Sequence, residues 1–252
     1  MKKLIVGNWK LNLDHLEAIQ LLQKINYSLP DGIETSIDIV IAPSHTSLRS
    51  IQTVIDADNL SIQLSAQDVS AFDNGAFTGE VSSYQLKKLN VTWCIIGHSE
   101  RRQNFDETDE IINKKLSLLL NSEIKPIICI GETQDQRNAG KQVDVCLKQV
   151  QEIFKNIRKD RLHDVAIAYE PVWAIGTGVN ADPEDTKEVV KEVIDYLDSK
   201  SFDIDKFRFL YGGSISPDNT EMYINDDNFS GLLVGGNSIV PDKFVEILLK
   251  SK

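Results

Sequence analysis

Eight short runs of strand-forming residues recur along the 252-residue chain, and no other feature constrains its fold as tightly. They are KLIVGN (3–8), IDIVIAP (37–43), LSIQLSAQ (60–67), VTWCIIGH (91–98), PIICIGE (126–132), VAIAYEP (165–171), FRFLYGG (207–213) and GLLVGGN (231–237). Apart from the third, where apolar and polar residues alternate, each is nearly continuous in apolar and β-branched residues. A strand with one wet face alternates, whereas a continuous run suits a strand buried on both faces, as in a parallel sheet. Amphipathic helix patterns lie between the runs. DETDEIINKKLSLLL (106–120) starts with acids and aligns Ile111, Ile112, Leu116, Leu119 and Leu120 on one stripe. DPEDTKEVVKEVIDYL (182–197) offers Asp182 as N-cap and Pro183 at the first helical position. HLEAIQLLQKI (15–25) and the shorter SSYQLKKL (82–89) repeat the pattern.

Parallel strands need crossovers, and every gap between runs leaves room for one. No Pro/Ser-rich linker or charge block divides the chain. Eight βα units in about 250 residues match the size and order of a (β/α)8 barrel. The expectation is therefore α/β, with one barrel domain over residues 1–252. An open doubly wound sheet has the same alternation; the near-regular spacing and the lack of a distinct second unit favour closure.

Composition supplies exclusions. A net charge of −11 disfavours nucleic acid and acidic membrane surfaces as partners. No stretch approaches ~18 consecutive apolar residues, so no membrane span is expected. The apolar run after the basic start is too short for a secretory leader. Cys94, Cys129 and Cys146 lack CxxC spacing and are odd in number, which fits a reduced, cytoplasmic compartment. His15, His45, His98 and His163 are too scattered to suggest a metal site.

In such a barrel, functional groups gather where strands end. Asn8 and Lys10 follow the first run, His98-Ser99-Glu100 the fourth, Glu132 the fifth and Glu170 the sixth. Gly212-Gly213-Ser214 closes the seventh and Gly235-Gly236-Asn237 the eighth, each read as leading toward a helix start. One glycine pair merely turns a corner. Two pairs at adjacent strand ends point to backbone N–H groups gathered around a phosphate. Against the global negative charge, Lys10 supplies local field: a cation about 4 Å from an anion gains roughly 4 kcal/mol at an effective dielectric near 20. His98 stands where a helix begins, and that dipole favours a neutral ring able to donate to a substrate oxygen.

Glu170 is the candidate base. Pro171 restricts it to extended geometry. Residues 171–181 carry no charge, so Val172, Trp173, Ala174 and Ile175 are expected to close over Glu170 and exclude water, with Gly176 and Gly178 giving backbone freedom and a donor N–H.

These residues resemble the triosephosphate isomerase family. The matching motifs are NWKLN (8–12), AQDVS and GAFTGEVS (66–70 and 75–82), IIGHSERR (95–102), CIGET (129–133), YEPVWAIGTG (169–178), YGGSI (211–215) and LVGGNS (233–238). YEPVWAIGTG and GHSERR are the specific ones; NWK or GGS alone is weak. The resemblance implies a TIM barrel that interconverts dihydroxyacetone phosphate and D-glyceraldehyde 3-phosphate in glycolysis and gluconeogenesis, with no metal or organic cofactor. It implies Glu170 as base, His98 as proton shuttle at the enediolate oxygens, and Lys10 and Asn8 as polarising and positioning groups. Gly176, Ser214, Gly235 and Gly236 would hold phosphate, with Glu100 and Cys129 in support. The loop at 71–80 would interdigitate in a homodimer, sending Thr78 toward the neighbour's Asn8–Lys10 segment.

There are departures. Asn237 stands where the family usually has alanine, Lys88 where an acid is common, and Ser83-Tyr84 is unusual after GEVS; Val179-Asn180 ends the uncharged loop. None removes a catalytic position. A Schiff-base aldolase on the same scaffold would need a lysine at a strand end, where the sixth run offers Glu170. A silent binding protein would have lost Lys10, His98 or Glu170.

Overall fold

The computed structural model describes residues 1–175 and 181–252. Eight parallel strands close into a barrel in sequence order: β1 (Lys3–Asn8), β2 (Ile37–Ala42), β3 (Gln63–Ala66), β4 (Trp93–Ile96), β5 (Lys125–Ile130), β6 (Val165–Tyr169), β7 (Phe207–Tyr211) and β8 (Gly231–Val234). The ladder between β1 and β8, with Leu4 opposite Gly231 and Gly7 opposite Val234, decides for a closed barrel over an open sheet.

The continuous apolar runs are explained by two cores. Leu4 and Val6, with Val40, Ile95, Ile127, Ala166 and Leu210, fill the barrel interior. Ile5, Ile39, Ile41, Ile96, Ile128 and Ile167 point outward into the layer beneath the helices. Alternate residues thus face two dry environments, and neither face selects for polarity.

Local signals place the helices. Asp14 caps His15–Ser28 through a reciprocal contact with Glu17, and Ser82 caps Ser83–Lys88 through the same arrangement with Gln85. Thr108 caps Asp109–Asn121, so that helix starts three residues later than the acidic run suggests. Asp182 caps Pro183–Ser199 as expected. The seventh crossover differs: after Gly212-Gly213-Ser214 the helix begins only at Thr220 and ends at Ile224. The β7 loop therefore contributes backbone rather than a nearby helix terminus. The β8 loop folds into a 3₁₀ turn over Gly236–Ile239 before the helix Pro241–Lys250.

The N-terminal end of the barrel is closed by charge. Arg208 on β7 reaches Asp38 on β2 at 2.5 Å and Asp164, just before β6, at 2.9 Å. Lys125 on β5 joins Asp164 at 2.7 Å. Trp93 lies beneath the Arg208 and Lys125 cations, 5.6 and 4.9 Å from its ring centre, and donates its indole N–H to Gln63. Among the described residues, no helix is long and apolar enough to cross a membrane.

Candidate active site

The opposite end is open. A cavity of about 210 Å³ there is lined by Asn8 and Lys10 from β1, His98 after β4, Glu170 after β6, Ser214 after β7, and Gly235 and Gly236 after β8. Gly212, Gly213, Ile175, Ile215, Leu233 and Asn237 complete its wall. Seven of the residues singled out for catalysis or phosphate contact therefore meet at one place. Gly176, Gly178 and Val179-Asn180 lie outside the described residues.

Glu170 is buried and held at both oxygens. Oε1 sits 3.0 Å from His98 Nε2, and Oε2 accepts the Ser99 backbone N–H at 2.9 Å. Burial alone raises a carboxyl's proton affinity, but His98, the Ser99 N–H and Lys10 reverse it, so Glu170 lies below the ordinary glutamate value. This differs from the simple expectation that removing water makes it a stronger base. In this state, the contacts that keep it ionised also keep it occupied. Gly212 permits the approach: a Cβ there would stand 3.0 Å from Glu170 Cγ.

His98 is the N-cap of a short helix, Ser99–Asn104, and its Nδ1 accepts the Glu100 backbone N–H at 3.2 Å. An accepting Nδ1 carries no proton, so the neutral ring bears its hydrogen on Nε2, facing Glu170. The electrostatics need one correction to the dipole argument. Burial lowers the ring's proton affinity, but the Glu170 and Glu100 carboxylates raise it, and the net direction is above the ordinary histidine value.

The segment carrying His98 is fixed from behind. Gly97 has φ +70°, and a Cβ there would strike Ile112. Glu107 accepts the Gly97 N–H at 3.1 Å and ties to Arg101 at 2.5 Å and Lys115 at 3.1 Å. Burial pushes this carboxyl up, yet Lys115 and Arg101 bring it below the ordinary value. Arg102 donates to Gly97 O at 2.7 Å and Cys129 O at 3.1 Å.

Lys10 adopts φ +52°, an uncommon conformation for a side chain of its kind. Its neighbours over-determine it: Asn8 Oδ1 accepts the Lys10 N–H at 3.0 Å, and Gln67 Nε2 donates to Lys10 O at 2.8 Å. The ammonium reaches Glu100 at 2.6 Å and lies beside Gly235, where a built Cβ would stand 3.7 Å from Nζ. Glu100 is thus adjacent to both Lys10 and His98. Cys129 lies fully buried in the barrel beneath the site; burial, and then Glu170, push its thiol well up, so it stays protonated. Thr78 is exposed on the 71–80 loop and is absent from this cavity's wall. The other three histidines stay out of the cavity; His45 bonds Asp68 O at 2.9 Å.

Two functional contacts escaped the sequence. The Ser99 N–H that holds Glu170 is backbone and leaves no residue signature. Glu132 is visible at its strand end, but its partners are not. Fully buried, it accepts from Tyr169 Oη at 3.0 Å, Trp173 Nε1 at 2.8 Å and Arg137 at 3.2 Å. It thereby anchors the first residues after Pro171. The stacking of Arg137 on Trp173, 5.1 Å from the ring centre, adds to that anchor.

Residues 3–251 match the family model for triosephosphate isomerase. The triosephosphate isomerase of Saccharopolyspora erythraea is 43% identical over 246 residues, covering 97% of this chain and 94% of that protein. That of Streptomyces coelicolor is 43% identical over 248 residues, 97% and 96% of the two chains. The Caldanaerobacter subterraneus subsp. tengcongensis protein of the same name is 40% identical over 250 residues, 98% of each.

Proposed function

The chain belongs to the triosephosphate isomerase family, and on that premise we propose a residue-level account of how it interconverts dihydroxyacetone phosphate and D-glyceraldehyde 3-phosphate. The observation that carries the account is the 3.0 Å contact between Glu170 and His98 in a cavity whose far wall is two glycine loops and Lys10.

Substrate phosphate lies against the backbone of Ser214, Gly235 and Gly236, with Lys10 neutralising its charge. Gly176 belongs to the same set by family resemblance. Asn8 fixes Lys10 by accepting its backbone N–H. Glu170 first gives up the Ser99 N–H, because both carboxylate oxygens are committed without substrate. Losing that contact removes one of the interactions that depress its proton affinity, while burial, which raises it, stays. The carboxylate then takes the proton from the carbon next to the carbonyl. The C–H pair becomes the C=C bond of an enediolate, and the carbonyl pair moves onto oxygen. The Nε2–H of His98 and the Lys10 ammonium stabilise that charge, in a site where fixed donors act at low dielectric. His98 passes a proton between the two oxygens, and Glu170 returns its proton to the neighbouring carbon. Substrate and product are isomers, so the cycle consumes no oxidant or reductant.

The reaction serves glycolysis and gluconeogenesis in the cytoplasm, and residues 1–252 act as one barrel domain. The active assembly is a homodimer through the 71–80 loop. Phe72 and Phe77 stack there at 4.1 Å between ring centres, yet remain 48% and 40% exposed. Aromatic surface of that kind on a polar loop suits insertion into a partner. A cavity of about 370 Å³ beside Lys10, bordered by Leu11, Gln67, Glu100 and Phe105, offers the receiving surface. Thr78 of one copy then approaches the other copy's Asn8–Lys10 segment. A monomer in sedimentation at micromolar concentration would sink the dimer reading.

The function is tested by supplying D-glyceraldehyde 3-phosphate to purified protein and following dihydroxyacetone phosphate through a coupled reduction. Turnover that disappears in Glu170→Gln is expected. Full turnover in that variant would remove Glu170 as the base.

A further inference from the structure

The β7 and β8 ladder ends early. Its last pairs are Leu210 with Gly231 and Tyr211 with Leu232. The two loops beyond it carry the glycines that line the cavity, so strand pairing does not set their separation. One side chain does: Asn237 Nδ2 donates to Ile215 O at 2.5 Å. The partner is a carbonyl oxygen, which only accepts, so the amide must present its NH₂ there. Asn219 bonds Ser214 O and the Ser216 N–H, but both contacts lie within the β7 loop. Among the described residues, the Asn237 contact is the side-chain hydrogen bond that joins the two loops.

The other flank of the same turn is held by its neighbour. Ser238 is fully buried and its Oγ lies 2.7 Å from Gly235 O and 3.2 Å from Asn8 O. Its Cβ lies 3.1 Å from where a Cβ on Gly7 would stand. The Gly236–Ile239 turn is therefore fastened to β1 through Ser238 and to the β7 loop through Asn237.

We propose that Asn237 is a positioning residue that clasps the two glycine loops at the spacing a bound phosphate requires. The clasp rests on the reading that these loops hold the phosphate. Donors from two separate loops converge on one anion only if the loops are held in register beforehand; otherwise binding bears the cost of ordering them. Asn237 itself need not touch the ligand. Its contribution is preorganisation, so its loss weakens phosphate binding more than it slows chemistry.

The test compares wild type with Asn237→Ala and Asn237→Asp. Each is measured for the inhibition constant of inorganic phosphate, for KM and kcat with D-glyceraldehyde 3-phosphate, and for thermal midpoint. Loss of one net hydrogen bond predicts that the phosphate constant and KM rise together by about 3- to 10-fold in Asn237→Ala. The fall in kcat is smaller than that rise. Asn237→Asp keeps the size but faces Ile215 O with an acceptor and adds negative charge, so its phosphate constant rises further than that of Asn237→Ala. An unchanged phosphate constant in Asn237→Ala overturns the clasp, as does an Asn237→Asp variant that binds phosphate like wild type. A fall in kcat and thermal midpoint with the phosphate constant unmoved also overturns it, leaving only a packing role. Failure of inorganic phosphate to compete with substrate in wild type instead breaks the phosphate reading itself.

Discussion

Arg208 at the N-terminal end of the barrel and Glu170 at the C-terminal end are both charged and both buried, at 6% and 1% exposure. Their partners differ in kind. Arg208 faces the oppositely charged side chains of Asp38 and Asp164, drawn from β2 and from the residue before β6. Glu170 faces a titratable ring and a backbone N–H. The first arrangement cannot be given up without stranding charge in a dry place. The second can be released one contact at a time. The same barrel thus uses burial to fix charge at one end and, on the proposed mechanism, to make it available at the other.

Four substitutions sharpen or break that contrast. Of the four, Arg208→Met should have the largest effect on folding. Breaking a buried ion pair costs about 3–5 kcal/mol, and the low end applies because both aspartates are partly exposed. Denaturant titration should show this loss while kcat of the folded protein stays within about two-fold. A large loss of kcat at full occupancy of the folded state would mean the two ends are coupled. Lys10→Ala should do the reverse: kcat/KM falls by up to about a thousand-fold, the equivalent of roughly 4 kcal/mol, with little change in midpoint. Unchanged kinetics at low ionic strength would remove Lys10 as the local counter to the chain's negative charge.

Glu170→Asp retains the charge but withdraws it by one methylene, and a misplacement of ~1 Å costs about 100-fold in kcat. A rate like that of wild type would place the base elsewhere. The smallest effect concerns pH. His98 helps hold Glu170 below the ordinary glutamate value. Its replacement in His98→Gln should raise that value, so the acid limb of the residual kcat/KM moves to higher pH. The comparison must allow for the substrate phosphate, whose second ionisation lies near pH ~6. An acid limb that stays put would show that burial and the Ser99 N–H set Glu170 without help from the ring.

The mouth of the barrel was far more legible in the sequence than the floor. Asn8, Lys10, His98, Glu170 and the glycine pairs each follow an apolar run, so their position relative to a strand end is local information. Arg208 sits inside FRFLY, where nothing nearby announces Asp38, 170 residues away. That pairing exists only once the barrel closes. Strand ends were overdrawn for a related reason: 60–67 and 91–98 contract to Gln63–Ala66 and Trp93–Ile96, because apolar residues continue past the hydrogen-bonded ladder. The helix start signalled by SPDNTEM (216–222) falls at Thr220, after Ser216–Asn219 have shaped a turn. Asn237 was visible as an odd residue, but its partner on the neighbouring loop required the fold.

Elsewhere this chain starts helices on Asp14, Ser82, Thr108, Thr133 and Asp182, residues whose oxygens accept backbone N–H groups at any neutral pH. At Ser99–Asn104 the same task falls to an imidazole nitrogen that accepts only while unprotonated. An N-cap contributes about 0.5–2 kcal/mol, so a second proton on His98 forfeits that amount of helix stability. The reverse holds by thermodynamic linkage: fraying of residues 99–104 makes the ring more basic. A change that loosens this one helical turn, even far from substrate, is therefore also a change in the proton affinity of the ring proposed as the shuttle.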